Sequence, residues 1–87
     1  MSYYVYMLLS KHKDNYYTYV GYSKNLSKRV ILHNTSKGAK STRGKHWFII
    51  YKKKYINKSL ALKAEYKLKK NKVKRNKIKL DFINKCK

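Results

Sequence analysis

The chain alternates short apolar runs with polar, lysine-rich segments, and each run predicts an element by its period and length. Tyr3–Ser10 (YYVYMLLS) is a compact run of aromatic, β-branched and aliphatic residues, which predicts a strand. Lys11–Asn15 is a polar turn. Tyr16–Ser23 (YYTYVGYS) predicts a second strand, close enough to the first to form an antiparallel hairpin. Gly21 lies inside that second strand, where a glycine costs stability; it predicts a bulge or the close approach of another group. Asn25 predicts the N-cap of a helix over Leu26 to about Thr35. Arg29 and His33 are four apart on it and share one face. Ser36–Lys45 (SKGAKSTRGK) reads as a loop. Trp47–Tyr55 starts as a buried-type strand. Asn57 predicts the cap of a helix from Lys58 to about Lys72, with Ala61, Ala64 and Leu68 as its apolar stripe and Leu60 beside it. The lysine-rich stretch 73–87, with Val73, Ile78, Leu80, Phe82 and Ile83, predicts a third, shorter helix. The order β-β-α-β-α, plus a C-terminal helix, predicts an α+β domain spanning 1–87: a small three-stranded antiparallel sheet flanked by helices.

Composition changes this picture by its charge. The chain has 87 residues, 24 Lys+Arg and three Asp+Glu, a formal net charge of +21. Ten tyrosines and 43% apolar residues predict a folded chain, because disordered basic tails lack aromatics. Three carboxylates do not readily build a two-metal nuclease site or a calcium site, both of which need several oxygen ligands. One cysteine, Cys86, permits neither an internal disulfide nor a cysteine-rich zinc site. No run approaches the roughly 18 apolar residues of a membrane span, and no secretory leader is visible. The expectation is an intracellular, basic domain whose partner is polyanionic. Nucleic acid is the first choice, and an anionic membrane surface fits poorly because lysines occupy most faces of the predicted helices.

Three groups of residues can carry chemistry. Glu65, one of only three acids, falls within the core-facing stripe of its helix, which is costly unless the carboxylate is paired or bound to a cation. A structural reading competes, since Glu65 and Lys69 form an i, i+4 pair in the favourable order. Arg is scarce, three of 24 cations, and Arg29 offers the planar fork that suits phosphoryl oxygens. The tyrosines crowd the first 22 residues. Most must serve the sheet, but one whose hydroxyl lies near an arginine or a metal-bound water can act as a general base.

Tyr4-Val5-Tyr6 followed by Tyr19-Val20-Gly21 resembles the paired signatures of the GIY-YIG nuclease superfamily. Arg29 ten residues after Tyr19, His33 four later, the loop Gly38–Gly44 followed by Trp47, and the helix around Glu65 are similar to that family in order and spacing. The first signature departs from the pattern: Tyr4 and Val5 stand where its glycine and isoleucine would. The resemblance implies a one-metal endonuclease and spans residues 3 to 70. It implies Tyr6 as general base, Tyr19 as a group orienting water or phosphate, and Arg29 as stabiliser of the transition-state phosphate. It implies His33 as hydrogen-bond partner or proton acceptor of Tyr6, and Glu65 as sole protein ligand of one Mg2+ or Mn2+. A dense positive field is expected to lower the pKa of the tyrosine base. Asn71 and Asn76 fall at no matching spacing for the family's downstream asparagine.

Candidate nucleic-acid contacts are Lys37, Lys40, Thr42, Arg43 and Lys45 in the loop, the run Lys52–Lys54, and the segment Lys67–Lys79, with Lys69 and Lys70 on the second long helix. Phosphate contacts position a protein without reading sequence. The expectation is therefore DNA cleavage with low sequence specificity; a preference for branches, flaps or nicks rests on analogy alone. The alternative is a non-catalytic basic nucleic-acid-binding module on the same scaffold. Nothing in the sequence indicates a partner protein or a homodimer.

Overall fold

The computed structural model describes residues 2–35 and 44–85. Strands β1 (Tyr3–His12), β2 (Asn15–Ser23) and β3 (Phe48–Tyr55) form one antiparallel sheet in the order β2-β1-β3. Helices α1 (Leu26–Asn34), α2 (Lys58–Lys70) and α3 (Lys72–Lys85) complete the α+β architecture. The expected element order holds.

The central strand explains the two-sided core. Val5 to Ser10 of β1 are all buried, because helices and neighbouring strands cover both faces. Val5 and Met7 point to one side and pack with Val20, Ala61 and Leu68, so α2 covers that side. Tyr6 and Leu8 point to the other and pack with Leu26 and Trp47, so α1 covers it. Alternation along a strand separates the two sets.

The β1–β2 hairpin is tighter than the sequence suggests. Both strands extend until only Lys13 and Asp14 lie between them, with His12 facing Asn15. Lys13 takes φ 57°, the left-handed region that favours glycine. That conformation costs a side-chain-bearing residue about 1–2 kcal/mol. Lys13→Gly is therefore expected to stabilise the protein by about 0.5–1 kcal/mol, after the extra chain entropy of glycine is deducted. A thermal melt would read this as a rise of roughly 2–6 °C.

Strand β3 differs from expectation at its start. Trp47 is buried but lies outside the strand, and Phe48 and Ile49 are 51% and 37% exposed, not buried. The cause is position: β3 is an edge strand, with only β1 beside it. The pairing also skips a residue, since Met7 faces Tyr51 but Leu8 faces Ile49. The extra residue, Ile50, and its neighbour Tyr51 both pack against the α2-side core, as a bulge permits. Lys52, Lys53 and Lys54 then line the exposed edge, where lysines discourage pairing with another sheet.

Three asparagines set the helix starts. The Oδ1 atoms of Asn25, Asn57 and Asn71 accept from the backbone N–H of Lys28, Leu60 and Lys74 at 3.1, 2.9 and 3.0 Å. Each such cap contributes about 1 kcal/mol. Asn71 also ends α2, earlier than expected, because its short side chain caps the next helix in place of continuing the first. Arg75 donates from Nε to the carbonyl of Leu68 at 3.1 Å, which ties α3 to the last turn of α2. On α3, Ile78 packs on the core, whereas Val73 and Leu80 are exposed.

Candidate active site

The site forms on the α1 side of the sheet, where β1, β2 and α1 meet. The register places Tyr6 opposite Gly21 and Leu8 opposite Tyr19. Helix α1 lays Arg29 and His33 over these positions from successive turns. Tyr6 and His33 are both fully buried, and the Tyr6 hydroxyl lies 3.0 Å from Nε2 of His33. The His33 ring stacks obliquely on Tyr19, with centroids 4.8 Å apart, and the Tyr6 and Tyr19 rings are 6.4 Å apart. Thus the structure brings Tyr6, Tyr19, Arg29 and His33 into one cluster.

Gly21 is part of the geometry. A Cβ built there would sit 2.6 Å from Tyr6 Oη, 2.8 Å from its Cζ and 3.0 Å from Cε2 of Tyr19. The expected close approach is therefore the catalytic-candidate hydroxyl itself. No positive φ is involved; the glycine is there for space.

The electrostatics overturn one expectation. Tyr6 is not made acidic by the positive field. Burial pushes its pKa up to about 12, the negative charge of Glu65 pushes the same way, and the hydrogen bond from Arg29 only partly opposes them. The long-range field of exposed lysines is screened by solvent, whereas desolvation acts directly on the phenol. Arg29 is held above the ordinary guanidinium range, first by its hydrogen bond to Tyr6 and then by Tyr19. Burial, with the Arg29 charge second, holds His33 below the usual imidazole value. His33 is accordingly neutral at pH 7 and can accept a proton from Tyr6 in the tautomer that leaves Nε2 bare.

Arg29 carries an unmet demand. Its Nε is buried and has no hydrogen-bond partner among the described residues. Arg29 also lines a cleft of about 430 Å3 with Tyr3, Tyr22, Ser23, Lys24 and Lys58. Three cations and no carboxylate face this space, which suits an anion.

Glu65 approaches from α2. Its side chain is 16% exposed and its Oε1 lies 3.4 Å from Nζ of Lys69. The i, i+4 pair foreseen as the structural role is thus present. Glu65 is nevertheless close enough for its charge to act on the Tyr6 phenol. Among the described residues no group of three His, Cys, Asp or Glu side chains could hold a metal. One carboxylate fits magnesium, which keeps most of its waters and takes one or two protein carboxylates.

The candidate nucleic-acid contacts are scattered. Lys37, Lys40, Thr42 and Arg43, like Cys86, lie outside the described residues. Lys45 sits over the Tyr17 ring at 4.9 Å and Lys70 over Tyr66 at 4.5 Å. Lys69 is engaged by Glu65.

Asn34 was not singled out by sequence. Its Oδ1 accepts from the backbone N–H of Trp47 at 2.6 Å, and its Nδ2 donates to the Trp47 carbonyl at 3.2 Å. This two-point clamp fixes the end of α1, and with it His33, against the chain entering β3. The only sequence signal was a helix-terminal asparagine, which most often caps locally.

Comparison with known proteins identifies the family. The model of the GIY-YIG catalytic domain matches residues 2–79. The chain belongs to the GIY-YIG family, a nuclease-type class. Its sequence is similar to a UPF0213 protein of Oceanobacillus iheyensis, 46% identical over 67 residues, which is 76% of this chain and 74% of the relative. A UPF0213 protein of Streptococcus pneumoniae is 36% identical over 73 residues, 83% of this chain and 73% of that one. The solution NMR structure of a UPF0213 protein from Bacillus halodurans aligns with a TM-score of 0.48 and 29% identity, covering 92% of this chain and 85% of that chain. Among the described residues, no helix is long and apolar enough to cross a membrane.

Proposed function

We propose that the protein is a one-metal endonuclease that hydrolyses DNA phosphodiesters with little sequence preference. The observation that carries the reading is Arg29: a guanidinium that holds two phenols yet keeps a buried Nε–H without a partner, at a cleft lined by cations. A phosphate oxygen would satisfy that donor once a small side-chain movement opens Nε to the cleft. Arg29 would bind the scissile phosphate and stabilise the charge that develops on it, as a planar fork does.

Tyr6 then stands at the phosphate with His33 behind it. The phenol takes a proton from the attacking water as its own proton passes along the 3.0 Å contact to Nε2 of His33. A phenol pushed up to about 12 is a reluctant anion at neutral pH, so this relay through neutral His33 avoids a free tyrosinate. Tyr19 also hydrogen-bonds the guanidinium and packs against the His33 ring. Glu65 would hold one Mg2+ or Mn2+, which when bound supplies Lewis-acid polarisation of the phosphate. The high net charge attracts polyanions without reading sequence.

The second reading, a non-catalytic binding module, has one observation in its favour: Lys69 already neutralises Glu65. The test mixes purified protein with supercoiled plasmid and with labelled linear and branched DNA, in magnesium or manganese and in EDTA. Cutting with either metal, none in EDTA, and equal cutting of a scrambled sequence are expected. Binding of every substrate without cutting would favour the module.

A further inference from the structure

The other side of the sheet carries a feature that this chemistry does not use. Helices α2 and α3 leave a groove of about 220 Å3 against strands β1 and β3. Leu68 contributes to its floor, Tyr51 and Tyr55 form a wall, and Lys67, Asn71 and Lys74 complete the lining. Tyr51 and Tyr55 are four apart on β3 and half-buried. The ammonium of Lys74 lies 5.7 Å from the Tyr51 ring centroid, and that of Lys53 lies 5.7 Å from the Tyr55 centroid. No carboxylate lines the groove.

Size and chemistry narrow the occupant. The space is smaller than the roughly 300–1,000 Å3 typical of small-molecule sites. It is much larger than the volume of about 30 Å3 that one water takes. A single planar ring suits it. Aromatic walls with cations at the rim are the combination by which proteins bind unpaired nucleotides, the base stacking and the phosphates meeting the cations. A duplex hides the faces of its bases and offers nothing to the tyrosines.

We infer that this groove binds one base of a single-stranded nucleic acid, with Lys67 and Lys74 on the flanking phosphates. The contact is separate from the Tyr6–His33 cluster, which lies across the sheet. The inference rests on nucleic acid being the partner, as proposed above, and not on cleavage.

The test is fluorescence anisotropy in EDTA at fixed salt. Labelled oligothymidylate is compared with an abasic strand of equal length and equal phosphate charge. The base-bearing strand is expected to bind at least tenfold tighter. Tyr51→Leu and Tyr55→Leu, checked for folding by circular dichroism, are each expected to remove most of that difference. Should the tyrosine variants unfold, the exposed pair Lys67→Glu/Lys74→Glu decides. It is expected to weaken the base-bearing strand at least tenfold more than Lys11→Glu/Lys13→Glu, an equal change of charge on the distant hairpin. Equal affinity for the abasic strand overturns the inference. So does a base preference that survives in folded tyrosine variants, or a lysine pair no more damaging than its control. Plasmid cleavage in magnesium is scored separately. Cutting without base-dependent binding sinks this inference alone, and base-dependent binding without cutting sinks the nuclease reading alone.

Discussion

Tyr6→Phe is expected to slow DNA cleavage by about 10²–10⁴-fold, the range in which a positioned general base contributes. The substitution removes only the hydroxyl, and the buried ring keeps its packing against Leu8, Leu26 and Trp47. Loss of the contact to His33 costs stability of about 1 kcal/mol. The fold should survive. The pH dependence carries the more specific signature. Because burial raises the Tyr6 pKa to about 12, Tyr6 keeps its proton through the neutral range, and the wild-type rate should level off there, as the relay to neutral His33 requires. On the acid side, His33 is held below its usual value of 6.5 by burial and then by Arg29. Its acceptor role should therefore persist down to pH 6.5 and fail only below it. Single-turnover cleavage should rise with pH on the acid side and level off towards neutrality in the wild type, and lose that rise in Tyr6→Phe. An identical profile in both proteins would remove Tyr6 from the proton transfer.

Gly21→Ala should be nearly as damaging, although Gly21 has no functional group. The new methyl would lie 2.6 Å from the Tyr6 hydroxyl oxygen and 2.8 Å from Cζ. Relief by a small swing is blocked, because Tyr6 is fully buried and its ring is not a free end. Overpacking of this kind costs about 1–3 kcal/mol. A displacement of about 1 Å at a reacting group can cost 10²-fold in rate. The expected result is a lowered melting temperature with at least 100-fold slower cleavage. The double variant Tyr6→Phe/Gly21→Ala makes the cause visible. Removing the hydroxyl relieves the closest contact and should return part of the stability, while activity stays at the Tyr6→Phe level. Additive losses of stability would mean that Gly21 and Tyr6 do not meet.

The sequence made the frame of this site legible because strand and helix periods are local. Tyr19 and Gly21 fall on one sheet face by alternation, and Arg29 and His33 fall on one helix face by their spacing. Gly21 announced a close approach but not its partner, since register is set by the whole hairpin. Long-range features were hidden. Nothing near Asn34 indicates that it would clamp the backbone of Trp47, 13 residues away. The bulge at Ile50 and the exposure of Phe48 follow from β3 being an edge, a property of the assembled sheet. The direction of the Tyr6 pKa shift was misjudged because charge can be counted along a sequence and burial cannot. Glu65 remained ambiguous for a similar reason: its spacing serves both the Lys69 pair and a metal, and the structure shows the Lys69 pair.

The proposed hydrolase depends on Glu65 as its metal-binding carboxylate. The most direct measurement follows supercoiled plasmid in parallel reactions of wild-type and Glu65→Gln protein, purified identically, with magnesium, with manganese and with EDTA. Glutamine keeps the size of the side chain and removes the charge. Nicked and linear DNA are expected from the wild type with either metal, none in EDTA, and none above background from Glu65→Gln despite unchanged DNA binding. Equal cutting by both proteins would assign the activity to a contaminant or to other residues and contradict the site described above.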